Sequence, residues 1–94
     1  MEIAGFQKLI ESIYYERDSA RGLAGTHMWF CEEVGELTRA LRRDTREELE
    51  GEFADVLAWL STLASMSGID LEQAAKAKYA KGCPRCTSTP CACH

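Results

Sequence analysis

The sequence predicts an all-α protein, a four-helix bundle that ends in a short cysteine-rich tail. Apolar residues recur at helical spacing along most of the chain, helix caps and glycines divide that pattern into four segments, and no segment has the two-residue period of a strand. A chain of 94 residues makes one small domain. We therefore expect a helical domain over residues 1–82 and a tail over residues 83–94.

The first two helices are predicted on either side of a glycine-containing break. The first should span residues 3–17, because its apolar residues recur every three or four positions. Gly22 and Gly25 interrupt this pattern. Thr26 is the expected N-cap of a second helix that runs to about Arg43.

The third helix has the most specific start. Thr45 and Glu48 have the spacing of a capping box, in which each side chain accepts a hydrogen bond from the other residue's backbone N–H. The helix should run to about Ser67 and stop at Gly68. Because so few residues join the second and third helices, we expect them to pack as an antiparallel hairpin.

The fourth helix is shorter and leads into the tail. Asp70 and Gln73 predict its start, and Gly82 should end it just after Lys81. Beyond Gly82 the chain is too rich in cysteine and proline to continue as a helix.

Composition argues against several classes of function. The net charge is −4, whereas broad nucleic-acid binding needs a basic surface, so we expect neither DNA nor RNA to bind directly. No apolar run is long enough to cross a membrane and the first residues lack a signal-peptide pattern, so the expected location is cytoplasmic. In that reducing compartment, clustered cysteines favour metal binding over disulfides.

Two acidic pairs carry the main functional information. Glu33 and Glu36 are three residues apart on the second helix, and Glu52 and Asp55 repeat that spacing on the third, so each pair shares one helix face. Both pairs intrude on apolar faces, where unpaired carboxylates are costly to bury. Four carboxylates converging from two packed helices offer oxygen ligands to a hard cation, which we predict to be Mg²⁺. Such a site suits chemistry on phosphates.

Ordinary surface charge is the competing interpretation of these four residues. Two like charges about 5 Å apart repel by roughly 3 kcal/mol at an effective dielectric of about 20, so a cluster needs neutralising. Salt bridges to Arg39, Arg42 or Arg43 would do this, but on a helical wheel those arginines face away from Glu33. A bound cation is therefore the better explanation.

The acidic pattern resembles the motif of the MazG-like, all-α nucleoside triphosphate pyrophosphohydrolases. The residues that carry the resemblance are Glu32, Glu33, Glu36, Glu52 and Asp55. The similarity extends from about Thr26 to Tyr79 and includes Lys76–Tyr79 near the end of the fourth helix. The same superfamily also holds dimeric dUTPases and phosphoribosyl-ATP pyrophosphatases.

The resemblance implies both an assembly and a reaction. It implies a helical bundle that forms a homodimer or homotetramer and cleaves nucleoside triphosphates between the α and β phosphates, with Mg²⁺, to a monophosphate and pyrophosphate. The catalytic carboxylates Glu33, Glu36, Glu52 and Asp55 would bind Mg²⁺. Glu32 would orient a ligand, bind a second metal or face solvent.

Substrate contacts are less specific in the sequence. Lys76 and Lys78 are candidates to neutralise phosphates, with exposed helix charge as the alternative. Trp29, Trp59 and His27 lie near the acidic face by wheel position and are candidates to contact the base. Core packing for the tryptophans and a surface position for the histidine are the alternatives.

The first helix of a neighbouring subunit is expected to complete the substrate pocket, as pockets of the family are often completed in trans. The side chains it would contribute are Tyr14, Tyr15, Arg17 and Arg21.

The tail offers five soft ligands within twelve residues. Cys83 and Cys86 have zinc-knuckle spacing. A tetrahedral Zn²⁺ site built from Cys83, Cys86, Cys91 and either Cys93 or His94 is one interpretation. A site shared between subunits, disulfides, and a disordered tail with reduced thiols are the others.

We predict an Mg²⁺-dependent nucleoside triphosphate pyrophosphohydrolase that is at least dimeric, because one short chain cannot cover all its apolar faces. Phosphoribosyl-ATP pyrophosphatase is the nearest alternative. The alternative from another class is a non-enzymatic, metal-binding interaction module, in which the tail is the functional element and the carboxylates bind only a structural cation.

Overall fold

The protein is all-helical, as predicted. A computed structural model describes all 94 residues and contains no strand. Its helices are α1 over Ile3–Arg43, α2 over Arg46–Met66 and α3 over Leu71–Tyr79. The second helix packs along α1, and α3 packs against the first turns of α1. None of these helices combines the length and the apolarity that crossing a membrane requires.

The predicted break between the first two helices is a single bent residue. Gly22 has φ +83° and ψ 168°, which are not helical, and helical geometry resumes on both sides of it. The first two of the four predicted helices therefore form one element, α1, with a kink at the predicted break. The predicted end at Arg17 and the predicted N-cap at Thr26 are therefore wrong. Thr26 lies inside α1 with no exposed surface, and its hydroxyl donates to the Gly22 carbonyl oxygen at 2.8 Å.

A buried polar cluster holds this bend. Arg21 Nη1 donates to Asp18 Oδ1 at 2.9 Å on the first arm of α1, residues 3–21. It also lies 3.4 Å from Thr26 Oγ1 on the second arm, residues 23–43. Asp18 Oδ2 accepts a hydrogen bond from Thr62 Oγ1 of α2 at 3.2 Å. Both arms and α2 are thus joined through one carboxylate and one guanidinium.

The predicted caps of α2 are confirmed. The Thr45 hydroxyl accepts from the Glu48 backbone N–H and the Glu48 carboxylate accepts from the Thr45 N–H, both at 3.3 Å. The helix ends at Met66, one residue before the predicted end, and Gly68 follows it with φ +70°. These ends are set by local chemistry, so the sequence alone specifies them.

The start of α3 is confirmed, and its end comes earlier than predicted. Asp70 Oδ1 accepts from the Gln73 backbone N–H at 3.0 Å. The helix stops at Tyr79, two residues before Lys81, and Gly82 follows with φ +104°. The helix ends there because the chain turns directly after it, with the Gly82 N–H donating to the Tyr79 carbonyl oxygen at 3.0 Å.

One glutamine joins the start of α1 to the connection between α2 and α3. Gln7 is 8% exposed, and its side-chain nitrogen donates to Ser65 Oγ at 3.1 Å and to the Ile69 carbonyl oxygen at 2.8 Å. Its side-chain oxygen accepts from the Leu71 N–H at 2.9 Å. Because every partner lies on the α2–α3 segment, this amide fixes where α3 leaves the bundle.

A single chain leaves most of its apolar surface open. The only buried hydrophobic side chains are Ile10, Ala40 and Ala64. Large apolar side chains on both packed helices are more than a third exposed. They include Leu9, Ile13, Val34, Leu41, Phe53, Leu57 and Leu60. A monomeric soluble protein of this size normally buries more of its large apolar side chains.

Substituting two glycines should have opposite effects on stability. Gly22→Ala should lower the free energy of unfolding by about 1–3 kcal/mol, because φ +83° with ψ 168° is a region that only glycine occupies readily. Gly51→Ala is the matched control. Gly51 lies inside α2 with no atom within 4 Å of the added Cβ, so alanine there should stabilise by roughly 0.5–1 kcal/mol. Urea unfolding measures both, and equal effects of the two changes would contradict the bend.

Candidate functional site

Three of the predicted carboxylates converge between α1 and α2. Glu33 and Glu36 lie on one face of the second arm of α1, and Glu52 lies on α2. Each supplies a carboxylate oxygen within 4.8 Å of the others. All three side chains are half-buried. We call these three residues the acidic cluster.

The acidic cluster lacks the partners that buried carboxylates normally have. Glu33 Oε2 and Glu52 Oε2 are buried and accept no hydrogen bond. The ion pairs of the chain lie elsewhere, at Arg21–Asp18, Arg46–Glu50 and Lys76–Glu72. The arginine partners considered from the sequence thus do not neutralise the cluster. Oxygen-only donors with two unpartnered oxygens fit a hard divalent cation.

The burial and the charge of the acidic cluster raise the pKa of one of its members, Glu33. Burial, followed by the negative charges of Glu36, Asp55 and Glu52, raises the pKa of Glu33 from 4.5 to about 7. Without a cation the cluster therefore retains a proton that an ordinary glutamate would lose. A bound cation would favour the ionised form instead.

Asp55 lies on the rim of a neighbouring cleft. It is exposed on α2 and does not belong to the group of three, although its charge acts on Glu33. The cleft has a volume of about 190 Å³ and lies between the first arm of α1 and α2. Tyr14, Arg17 and Arg21 line it together with Asp55. Basic and aromatic groups thus lie beside the acidic cluster in one and the same chain.

Two tryptophans and an arginine form a stack at this cleft. The rings of Trp29 and Trp59 are nearly parallel, with an interplanar angle of 13° and centroids 6.2 Å apart. The guanidinium carbon of Arg21 lies 4.9 Å from the Trp59 ring centroid. Trp59 lines the cleft, and Trp29 remains 48% exposed. Asp18 orients the arginine of this stack through its ion pair.

Two buried residues were not predicted from the sequence. Asp18 positions Arg21, and Thr62 hydrogen-bonds to Asp18. Asp18 is 7% exposed and Thr62 is 6% exposed. One signal was available, because Gln7, Ile10, Tyr14, Asp18 and Arg21 follow each other at intervals of three, four, four and three residues. That spacing puts a buried aspartate on the same stripe as Ile10.

The remaining predicted site residues have other neighbours. Glu32 is exposed and lies outside the acidic cluster. His27 is exposed, and its Nε2 atom lies 3.6 Å from Cys31 Sγ. Lys76 pairs with Glu72 at 3.4 Å, and the Lys78 ammonium lies 5.6 Å from the centroid of the Tyr79 ring. The contacts of both lysines are therefore within α3.

The tail forms a second cluster, separate from the acidic one. The sulfur atoms within 4.8 Å of one another belong to Cys83, Cys86, Cys91 and Cys93. Backbone N–H groups of Ala92 and Ser88 lower the pKa of Cys86 to about 6, while contact with the other sulfurs raises the pKa of Cys93 to about 11. His94 does not belong to this cluster.

In the metal-free protein, the free energy of unfolding should depend on pH through the protonation of Glu33. Its pKa in the folded state, about 7, lies above its ordinary value of 4.5, so the folded state binds the extra proton. This contribution to stability is complete below pH 4.5 and is lost as the pH rises through about 7. Glu33→Gln should remove it.

Urea unfolding in EDTA across that range measures the effect as the difference between wild type and Glu33→Gln. Glu47→Gln, in the exposed first turn of α2, controls for loss of a negative charge. A difference between wild type and Glu33→Gln that stays constant with pH would show that Glu33 titrates ordinarily.

Comparison with known proteins assigns the chain to a family. The family model of the MazG nucleotide pyrophosphohydrolase domain matches residues 22–88, which contain the acidic cluster and Asp55. No curated protein matches the chain. Because the matched segment covers well over half of the sequence, the chain belongs to the MazG nucleotide pyrophosphohydrolase family.

Proposed function

We propose that this chain is an Mg²⁺-dependent nucleoside triphosphate pyrophosphohydrolase that cleaves between the α and β phosphates and releases a monophosphate and pyrophosphate. The observation that carries the proposal is the pair of buried, unpartnered oxygens of Glu33 and Glu52 inside a convergent acidic cluster. The family membership supports a nucleotide as the substrate.

The acidic cluster would hold the metal. Glu33, Glu36 and Glu52 supply the ligand oxygens, and Asp55 completes the set from the cleft side. When bound, Mg²⁺ polarises phosphoryl oxygens and lowers the pKa of bound water. Glu32, which lies outside the acidic cluster, would orient one of these ligands.

The cleft would hold the rest of the nucleotide. Arg17 and Arg21 provide positive charge for the phosphates, and the planar guanidinium suits two phosphate oxygens at once. Because Asp18 orients Arg21, little side-chain entropy is lost when phosphate binds. The exposed Trp29 and its neighbour Trp59 offer flat faces on which a base can stack.

The exposed apolar surface supports self-association. Three buried hydrophobic side chains cannot by themselves stabilise a domain of 94 residues. A second copy packed on the open faces of α1 and α2 would bury side chains such as Ile13 and Leu60. We therefore propose a homodimer or homotetramer as the stable form.

Glu33→Gln should abolish turnover and keep the fold. The amide has the shape of the carboxylate but no charge, so metal binding is lost. Turnover should fall by about 100-fold or more, since even groups that only support a metal ligand can cost that much. Pyrophosphate release from a panel of nucleoside triphosphates, with Mg²⁺ and with EDTA, measures the effect.

Glu50→Gln is the matched control, because Glu50 is on α2 but exposed and paired only with Arg46. The melting temperature with and without Mg²⁺ separates metal binding from turnover. If pyrophosphate were released only from phosphoribosyl-ATP, the activity would be that of a phosphoribosyl-ATP pyrophosphatase. Release by Glu33→Gln at the wild-type rate would remove the acidic cluster from the mechanism.

Self-association should depend on the exposed leucines of α2. The wild-type mass in solution should be at least twice 10.5 kDa, and Leu60→Glu should reduce it or lower the melting temperature, because a charge would be buried in the interface. Leu60→Met keeps the volume and the apolar surface and should behave as wild type. Light scattering during gel filtration measures the mass, and a wild-type monomer would contradict the proposal.

A further inference from the structure

The sulfur atoms of the tail already have the spacing of a tetrahedral metal site. Cys83 Sγ lies 3.6 Å from Cys91 Sγ and 3.7 Å from Cys93 Sγ, and Cys86 completes a group within 4.8 Å. Zinc–sulfur bonds of about 2.3 Å in a tetrahedron separate the sulfurs by about 3.8 Å. All five cysteines of the chain are free thiols. The spacing therefore matches four sulfurs around one ion.

Backbone donors point at the same sulfurs. The Ala92 N–H donates to Cys86 Sγ at 3.3 Å, and the Cys93 N–H donates to Cys91 Sγ at 3.4 Å. Such bonds stabilise negative charge on sulfur and orient the ligand toward a metal. The surroundings of Cys86 and Cys91 thus favour thiolate ligands.

The loop between the first two cysteines and the last two is closed by its own backbone. The Thr87 N–H donates to the Cys83 carbonyl oxygen at 2.7 Å, and the Cys83 N–H donates to the Ser88 carbonyl oxygen at 3.0 Å. Gly82 permits this closure, because a Cβ there would lie 2.9 Å from the Ser88 oxygen and φ is +104°. The loop is therefore held in one shape at the end of α3.

Hydrophobic packing cannot account for that shape. Residues 83–94 contain no aliphatic side chain larger than alanine or proline and no aromatic side chain apart from the terminal His94. The hydrogen bonds described above join residues of the segment to one another. A segment of this length without a core needs a covalent or metal staple to stay folded.

We propose that the tail is a closed structural zinc site whose ligands are Cys83, Cys86, Cys91 and Cys93. Four soft thiolates in tetrahedral spacing select zinc over the hard cation of the acidic cluster. All four positions are filled by protein, so the ion has no open site for chemistry. The ligands come from one chain, and two of them lie beyond residue 88, where the family match ends. This inference does not depend on the proposed hydrolysis.

Metal content of the full chain tests the site. Protein purified with a reducing agent and without chelator should contain about one zinc ion per chain by elemental analysis. Cys86→Ser and Cys91→Ser should each lower that content by about tenfold or more. Cys31→Ser is the matched control, since Cys31 is an exposed thiol on α1 outside the cluster, and it should keep the zinc. His94→Ala should keep it as well.

Substitution by Co²⁺ gives a second measurement. The visible bands and thiolate charge-transfer absorption of tetrahedral cobalt should appear with Cys31→Ser and vanish with Cys91→Ser. Far-ultraviolet circular dichroism should be alike in all variants, because the helices end at Tyr79. Zinc content that is equal in Cys86→Ser and wild type, content below about one-tenth of an ion per chain after zinc addition, or iron in place of zinc would overturn the proposal.

Discussion

The crowding of carboxylates between α1 and α2 is the constraint on which the rest of the structure depends. These two helices provide the main packing contact of the chain, yet the seam between them contains Glu33, Glu36 and Glu52 with no basic partner. Like charges at this spacing oppose the packing that brings them together. Burial, and after it the neighbouring carboxylates, raise the pKa of Glu33, so its ionised form is disfavoured in the seam. A cation in the seam would turn the same contact from repulsive to attractive, which ties folding to the loaded state of the site.

Polar groups with hydrogen-bond partners and polar groups without them lie at opposite ends of the interface between α1 and α2. Near its end, Thr62 and Ser65 hydrogen-bond to Asp18 and Gln7 of α1, so polar groups there are fully used inside the protein. Nearer its start, Glu52 has an oxygen without any partner. The satisfied end stabilises the hairpin, and the other end contains the carboxylate oxygens without partners. This division agrees with the general pattern in which proteins leave polar groups unpaired where they bind something.

Sequence reasoning succeeded where the determinant is local. The capping box of Thr45 with Glu48 and the cap of Gln73 by Asp70 depend on side chains three residues apart, and both are present. The spacing of the acidic pairs is likewise a local feature, and the family that it predicts is confirmed. Sequence reasoning failed at Arg17 and Thr26, the predicted helix end and N-cap, because helical geometry runs up to the kink at Gly22 and resumes directly after it. The contact that ties this kink to α2 is the hydrogen bond from the Thr62 hydroxyl to Asp18, which joins residues far apart in the chain and which no local pattern encodes.

The bend at Gly22 gives α1 a mechanical role. The first arm of α1 carries the arginines of the cleft, and the second arm, beyond the kink at Gly22, carries two carboxylates of the acidic cluster. Eleven residues of helix separate Gly22 from Glu33, which is a lever of about 16 Å, so a change of about 10° at the glycine would displace that carboxylate by about 3 Å. The distance between the arginines of the cleft and the acidic cluster therefore depends on the backbone torsions of Gly22. A substitution at Gly22 would change that distance without altering any side chain of the cleft or of the acidic cluster.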